Sequence, residues 1–166
     1  MLALARGASQ GSVHANVRRA LDSSLSILRD GLQRQGIQLN VQLTDNVPNI
    51  RTAQGDLEQL FLNLAANARD AMRAGGTLSI RTELAGDKLA ITIADTGCGI
   101  PPEHVARIQE PFFTTKRNGS GLGLSICRSI IWNVGGEMKI ESCQGVGTQI
   151  KLVLPIVPDK ATESTV

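Results

Sequence analysis

Between positions 16 and 35 apolar residues recur every three or four places, and Val17, Leu21, Leu25, Leu28 and Leu32 share one helical face. The spacing predicts an amphipathic helix that stops at Gly36. Ile37, Val41 and Leu43 then predict a short β-like stretch, closed by the turn residues Asp45, Asn46 and Pro48. A second helix is predicted from Asp56, with Gln59 completing a capping-box pattern and Leu57, Phe61, Leu64, Ala68 and Met72 forming its buried stripe before Gly75 and Gly76. Leu78 and Ile80, then Leu89, Ile91 and Ile93, alternate as two strands joined through Ala85, Gly86 and Asp87. A third helix is expected at about 121–134, where Ile126, Ile130 and Val134 are spaced by four and Gly135 is the stop. His104, just after Pro101 and Pro102, falls on a short helical stretch and reads as a surface residue, as does His14 in the polar stretch before the first helix. Two closing strands carry Met138 and Ile140, then Ile150, Leu152 and Leu154. This order implies an α+β fold, a two-layer sandwich with three main helices on one face of a mostly antiparallel mixed sheet of about five strands. Residues 1–15 read as a linker, 16–156 as the folded domain and 157–166 as a tail.

Composition narrows the class. The 166 residues suit one domain, and 42% hydrophobic residues exclude an intrinsically disordered chain. Seventeen basic and 15 acidic residues are scattered rather than gathered into a stripe, and aromatic residues are few, so neither duplex nor single-stranded nucleic acid is an expected partner. No apolar run approaches the roughly 20 residues that span a bilayer, so no direct membrane contact is expected. Cys98, Cys127 and Cys143 are odd in number and lack C-x-x-C spacing, which supports neither a disulfide framework nor a zinc site and fits a reducing cytoplasm.

Glycine is the residue in excess, and nine of the 17 lie between Gly97 and Gly147. The second helix carries Gln59, Asn63, Asn67 and Asp70 on one face, opposite its apolar stripe. Such a face is ordinarily a solvated one, but asparagine is a poor helix former, and its amide oxygen suits a Mg²⁺ ion that also binds nucleotide phosphates. The strand ending at Ile93 runs into Asp95-Thr96-Gly97-Cys98-Gly99. Asp95 either closes a local turn on its own backbone or accepts a hydrogen bond from an exocyclic amine such as adenine's, with Gly97 and Gly99 letting main chain pass close to a flat ring and Cys98 a small space-filler. Gly119-Ser120-Gly121-Leu122-Gly123 opens the third helix, where free N–H groups suit phosphate oxygens. Neither a P-loop nor a Rossmann fingerprint is present. Between these clusters, Phe112 and Phe113 would anchor a loop whose Lys116 and Arg117 offer cations to phosphate. Gly145-Val146-Gly147-Thr148 is a hairpin turn or a further nucleotide contact.

Taken in order, these pieces resemble the catalytic and ATP-binding domain of sensor histidine kinases, in the superfamily that includes gyrase-type ATPases, Hsp90-type chaperones and MutL-type repair proteins. The resemblance runs from about Leu21 to Leu154: Asn63 to Ala68 is similar to the N box, and Pro111 to Thr115 to the F box. Asp95 to Gly99, Gly119 to Gly123 and Gly145 to Thr148 resemble the three glycine boxes. It implies a Bergerat-type fold with ATP between the second helix and a lid at 102–120, Asn67 on Mg²⁺, Asn63 supporting metal and phosphates, Asp95 reading the adenine amine, and Thr148 assisting there through water. Gly97, Gly99, Ser120, Gly121, Leu122 and Gly123 would line the nucleotide. Asp70 also falls at the phosphates, where many members carry lysine, so neutralisation would lean on Mg²⁺, Lys116 and Arg117. Hydrolytic members place a glutamate general base four residues before the metal asparagine. Asn63 stands there, and an amide cannot deprotonate water, which favours transfer to a histidine. The resemblance also implies a dimerisation and phosphoacceptor domain as partner and, indirectly, a response regulator. His14-Ala15-Asn16 does not resemble the acceptor motif, whereas Leu2 to Arg6 resembles the tail of that domain's second helix, so a fragment unable to label itself is expected. The alternatives are a non-catalytic ATP-binding regulatory module and an anti-sigma-type serine kinase, which usually keeps the glutamate.

Overall fold

The computed structural model describes residues 14–115 and 119–157. Most of the expected linker, with the Leu2–Arg6 helix tail, Lys116, Arg117 and nearly all of the expected C-terminal tail, lie outside the described residues. The elements are β1 (His14–Asn16), α1 (Val17–Arg34), β2 (Ile37–Gln42), β3 (Asn49–Arg51), α2 (Gln54–Ala71), β4 (Gly76–Ala85), β5 (Lys88–Asp95), α3 (Pro102–Val105), α4 (Gly123–Asn133), β6 (Glu137–Cys143) and β7 (Gly147–Pro155).

Five strands form one sheet in the order β2-β4-β5-β7-β6. Only β2 pairs in parallel, with β4, because α1 and its stop at Gly36 deliver the chain to that edge without a hairpin. The predicted turn at 85–87 tightens to two residues, since Ala85 pairs with Lys88. Leu89, Ile91 and Ile93 on β5 and Ile150, Leu152 and Leu154 on β7 are buried, and α1, α2 and α4 pack over this face. The helical stripes are those the spacing predicts: Leu21, Leu25, Leu28 and Leu32 on α1, and Leu57, Phe61, Leu64 and Ala68 on α2, are all buried. Ser24 ties the two helices, donating its hydroxyl toward the Ala20 and Glu58 carbonyls, each at 2.8 Å. Among the described residues no helix is long and apolar enough to cross a membrane.

Two local expectations are corrected. α2 begins at Gln54, not at Asp56; Ala53 occupies the cap position with no side-chain bond, and Asp56 lies in the first turn, where a carboxylate suits the helix dipole. The start is held from elsewhere: Gln54 accepts from the Asn16 N–H at 2.8 Å and donates to the Asn16 carbonyl at 3.2 Å. Asn16 also caps α1, accepting from the Arg19 N–H at 2.8 Å. The second correction is the small β1–β3 sheet, which puts His14 in a strand and buries Ala15 and Ile50 completely. Three-residue strands leave too few alternating positions to register as a pattern.

Candidate functional site

Along β5 the buried alternation Leu89, Ile91, Ile93 reaches its next same-face position at Asp95. The same happens on β7, where Leu154, Leu152 and Ile150 lead to Thr148, and on β6, where Met138 and Ile140 lead to Ser142. Pairing brings the three polar residues into one row across the sheet, Asp95 opposite Thr148 and Thr148 opposite Ser142. At this end of the sheet a cleft of about 1130 Å³ lies between the sheet and the helix layer, lined by Ile93, Asp95, Thr148 and Ile150 on one side and Leu64, Asn67 and Ala68 on the other. A volume of this size admits a nucleoside triphosphate.

Asp95 makes the local turn, the first of the two readings that the sequence leaves open, and is also placed at the cleft. Its Oδ1 accepts from the Gly97 N–H at 2.8 Å, a local turn, and its carboxylate also lines the cleft. Burial raises its pKa above the ordinary 3.8, partly opposed by the hydrogen bonds from the Gly97 and Thr148 backbones. Gly97 and Gly99 line the cleft too, but other parts of the chain crowd the place of a Cβ at each. A Cβ on Gly97 would lie 2.7 Å from the Ala71 carbonyl oxygen, and one on Gly99, where φ is +66°, would collide with the Cys143 carbonyl. The first glycine box is thereby locked to the third: the Gly145 N–H donates to the Cys98 carbonyl at 2.7 Å. Cys98 is exposed, so it fills no internal space.

On the helix side, Asn67 and Asp70 line the cleft. Asp70 is held by its neighbour Arg69 at 2.9 Å. Asn63 is not among the lining residues; its amide donates to the Gly123 carbonyl at 3.4 Å and sits against the Cys127 thiol. The contact sets the N-terminus of α4 beside α2, so Ser120, Gly121 and Gly123 line the cleft near Asn67. Leu122, at the cap position of α4, lies outside the lining, and its carbonyl accepts from the Ile126 N–H. The loop between the glycine boxes is pinched at its base by the Phe112 N–H, which donates to the Gly121 carbonyl at 3.0 Å. Only one phenylalanine anchors it. Phe113 stacks under Arg107 at 4.6 Å and beside His104, whereas Phe112 is 76% exposed, which corrects the expected pair.

Sequence reasoning missed Ser142, although continuing the alternation of β6 by one more step reaches it. Asn67 offers a neutral amide oxygen on the cleft wall, a donor that fits a Mg²⁺ ion completing its shell with waters and phosphate oxygens. Among the described residues no group of three or more His, Cys, Asp or Glu could hold a metal ion.

The thiols make one simple test of this packing. Cys127 is buried between α4 and α2, and burial pushes its pKa up to about 12, while Cys98 and Cys143 are exposed. A thiol reagent at neutral pH is expected to modify two cysteines in the native protein and the third only after unfolding.

A helix-backed, mixed five-stranded sheet with this cleft at one end is an architecture shared with known proteins. The chain belongs to the histidine kinase-, DNA gyrase B- and HSP90-like ATPase family, whose pattern matches residues 52–158. It is 34% identical over 143 residues to the sensor histidine kinase ZraS of Salmonella typhimurium, covering 86% of this chain and 31% of that protein. Among solved structures it is similar to the mycobacterial sensor histidine kinase MprB, with 29% identity and a TM-score of 0.77 over 87% of this chain and 97% of that one. It is also similar to full-length ShkA in complex with AMPPNP, with 27% identity and a TM-score of 0.78 over 90% of this chain and 32% of that one. The chain spans about a third or less of the length of the curated relatives it matches.

Proposed function

We propose that this chain is the Mg-ATP-binding catalytic domain of a two-component sensor histidine kinase. It would pass the γ-phosphoryl group to a histidine on a dimerisation and phosphoacceptor domain, for onward relay to a response regulator. The observation that carries this reading is the meeting, in one cleft, of Asp95 and Thr148 at the sheet end with Asn67 and the α4 glycine loop on the helix side. Asp95 and Thr148 would bind the base. Asn67 would hold Mg²⁺, which when bound neutralises phosphate charge. Gly121 and Gly123 would present backbone to the phosphates. Asp70 is paired with Arg69, and the resemblance leaves phosphate neutralisation to Mg²⁺, Lys116 and Arg117, the last two outside the described residues. In the reaction the acceptor imidazole nitrogen forms a bond to the γ-phosphorus as the bond to the ADP oxygen breaks, and ADP leaves. No described side chain needs to take a proton from an imidazole that is already nucleophilic.

The test is incubation with γ-labelled ATP, with and without a sensor-kinase dimerisation domain supplied in trans. Label on that domain alone is expected; strong labelling of the isolated chain, or nucleotide binding with no transfer to any such domain, would overturn the reading. A second result follows from Asn63. Glutamate is one methylene longer than asparagine, so Asn63→Glu would extend a carboxylate from beside the cleft lining toward a water at the phosphates, and phosphate release is expected to rise by roughly a hundredfold. The substitution also removes the donor to the Gly123 carbonyl, which costs about 1 kcal/mol of stability. Unchanged release from a folded variant would count against the base argument.

A further inference from the structure

We propose that Ser142 is a positioning residue that sets which purine the cleft accepts: it accepts the hydrogen bond that the Thr148 hydroxyl donates and leaves Thr148 an acceptor beside the Asp95 carboxylate, which selects an amino-purine over an oxo-purine. The proposal rests on the nucleotide reading above and adds to it a determinant outside the cleft lining.

The argument is a proton count. Ser142 Oγ has three polar neighbours: the Ile100 N–H at 2.8 Å, the Gly147 carbonyl at 3.0 Å and the Thr148 hydroxyl at 2.9 Å. A hydroxyl offers one proton and two lone pairs. The Ile100 N–H can only donate and the Gly147 carbonyl can only accept, so one lone pair and the single proton of Ser142 are committed. What remains facing Thr148 is a lone pair, and Thr148 must donate to it. Its own proton is then spent, and Thr148 offers only lone pairs to anything in the cleft, which it lines and Ser142 does not.

Asp95 pairs with Thr148 across β5 and β7, so the two acceptors stand side by side. Both are half-buried, and acceptors covered by a bound ring select sharply, because a mismatched ligand leaves lone pairs facing lone pairs. An exocyclic amine, with two protons, satisfies both; a carbonyl at the same ring position satisfies neither. The network reaches further, since Ile100 directly precedes Pro101 and α3, and Ser142 therefore also holds the first residue of the segment that leads into the loop over the cleft.

Calorimetry with ADP and IDP in the presence of Mg²⁺ isolates the effect, since these ligands differ only in the purine ring at and beside the 6-position. The parent is expected to prefer ADP. Ser142→Ala, which frees the Thr148 proton to turn into the cleft, should shrink the ADP-to-IDP affinity ratio roughly tenfold, the scale of one hydrogen bond. Ser142→Thr should restore it. Thr148→Val should lower the ratio as much as Ser142→Ala, and the double variant no further. A purely structural role would weaken both ligands equally and leave the ratio unchanged, and that result overturns the proposal. Should Ser142→Ala fail to fold, an unchanged ratio in Thr148→Val overturns it equally. A parent that binds neither ligand refutes the nucleotide reading itself, whereas a parent that binds both without preference refutes only the assignment to Ser142 and Thr148.

Discussion

Asp95→Ala is expected to weaken adenine-nucleotide binding by roughly 10- to 150-fold, the loss of about 1.5–3 kcal/mol that accompanies a hydrogen bond to a charged group. The loss should come without a matching fall in the stability of the free protein. Burial raises the Asp95 pKa in the fold, so its neutral form favours folding below about pH 3.8, and that contribution disappears as pH rises through the higher folded value. At neutral pH the half-buried charge is therefore a cost to folding. Asp95→Asn, which keeps an acceptor for the Gly97 N–H, should leave the apo melting temperature equal to or above the parent's while still weakening binding. The same shift has a second consequence. Affinity for the adenine amine requires the carboxylate, so on acidification it should begin to fall at a higher pH than an ordinary aspartate would give. Calorimetry across pH, with thermal melts of the three proteins, checks both. An Asp95→Ala protein that binds ADP like the parent would remove Asp95 from the site.

Asn67→Ala is expected to abolish the Mg²⁺-dependent part of nucleotide affinity, a loss on the order of tenfold to a hundredfold, while binding measured with a chelator changes little. The distinction matters because Asn67 and Asp95 lie on opposite walls of the cleft, one on α2 and one at the end of β5. A general collapse of the site would lower affinity with and without metal alike. A selective loss assigns Asn67 to the phosphate end. Its amide side chain faces the N-terminus of α4, where a Cβ on Gly123 would lie 4.0 Å from it. If affinity with Mg²⁺ stayed at the parental value, the metal assignment would fall.

Much of this was legible along the chain. Every apolar residue assigned to the α1 and α2 stripes is buried, because helical period and burial are the same physical fact seen along the sequence and across the fold. Asp95 is legible as a strand-end carboxylate before Gly97 and Gly99, and alternation from Leu89, Ile91 and Ile93 carries it to the cleft lining. Ser142 carried the same signal but lacked a conspicuous neighbourhood of glycines. The start of α2 was not legible, since Gln54 reaches back 38 positions to Asn16, and a capping pattern nearer at hand outweighed it. The exposure of Phe112 was equally hidden, because a Phe-Phe pair carries no mark of which ring turns inward.

Local sterics and burial period settled the helical faces, the hairpins and the places where main chain must run without a Cβ. Those constraints act within a few residues and so are written in neighbouring letters. The parallel pairing of β2 with β4, the seating of the α4 N-terminus against the amide face of α2, and the row of Asp95, Thr148 and Ser142 across three strands depend on residues far apart in sequence. They required folding to appear, because a hydroxyl's role as donor or acceptor is assigned by the partners that surround it, and those partners come from Ile100, Gly147 and Thr148 only once the sheet has closed its register.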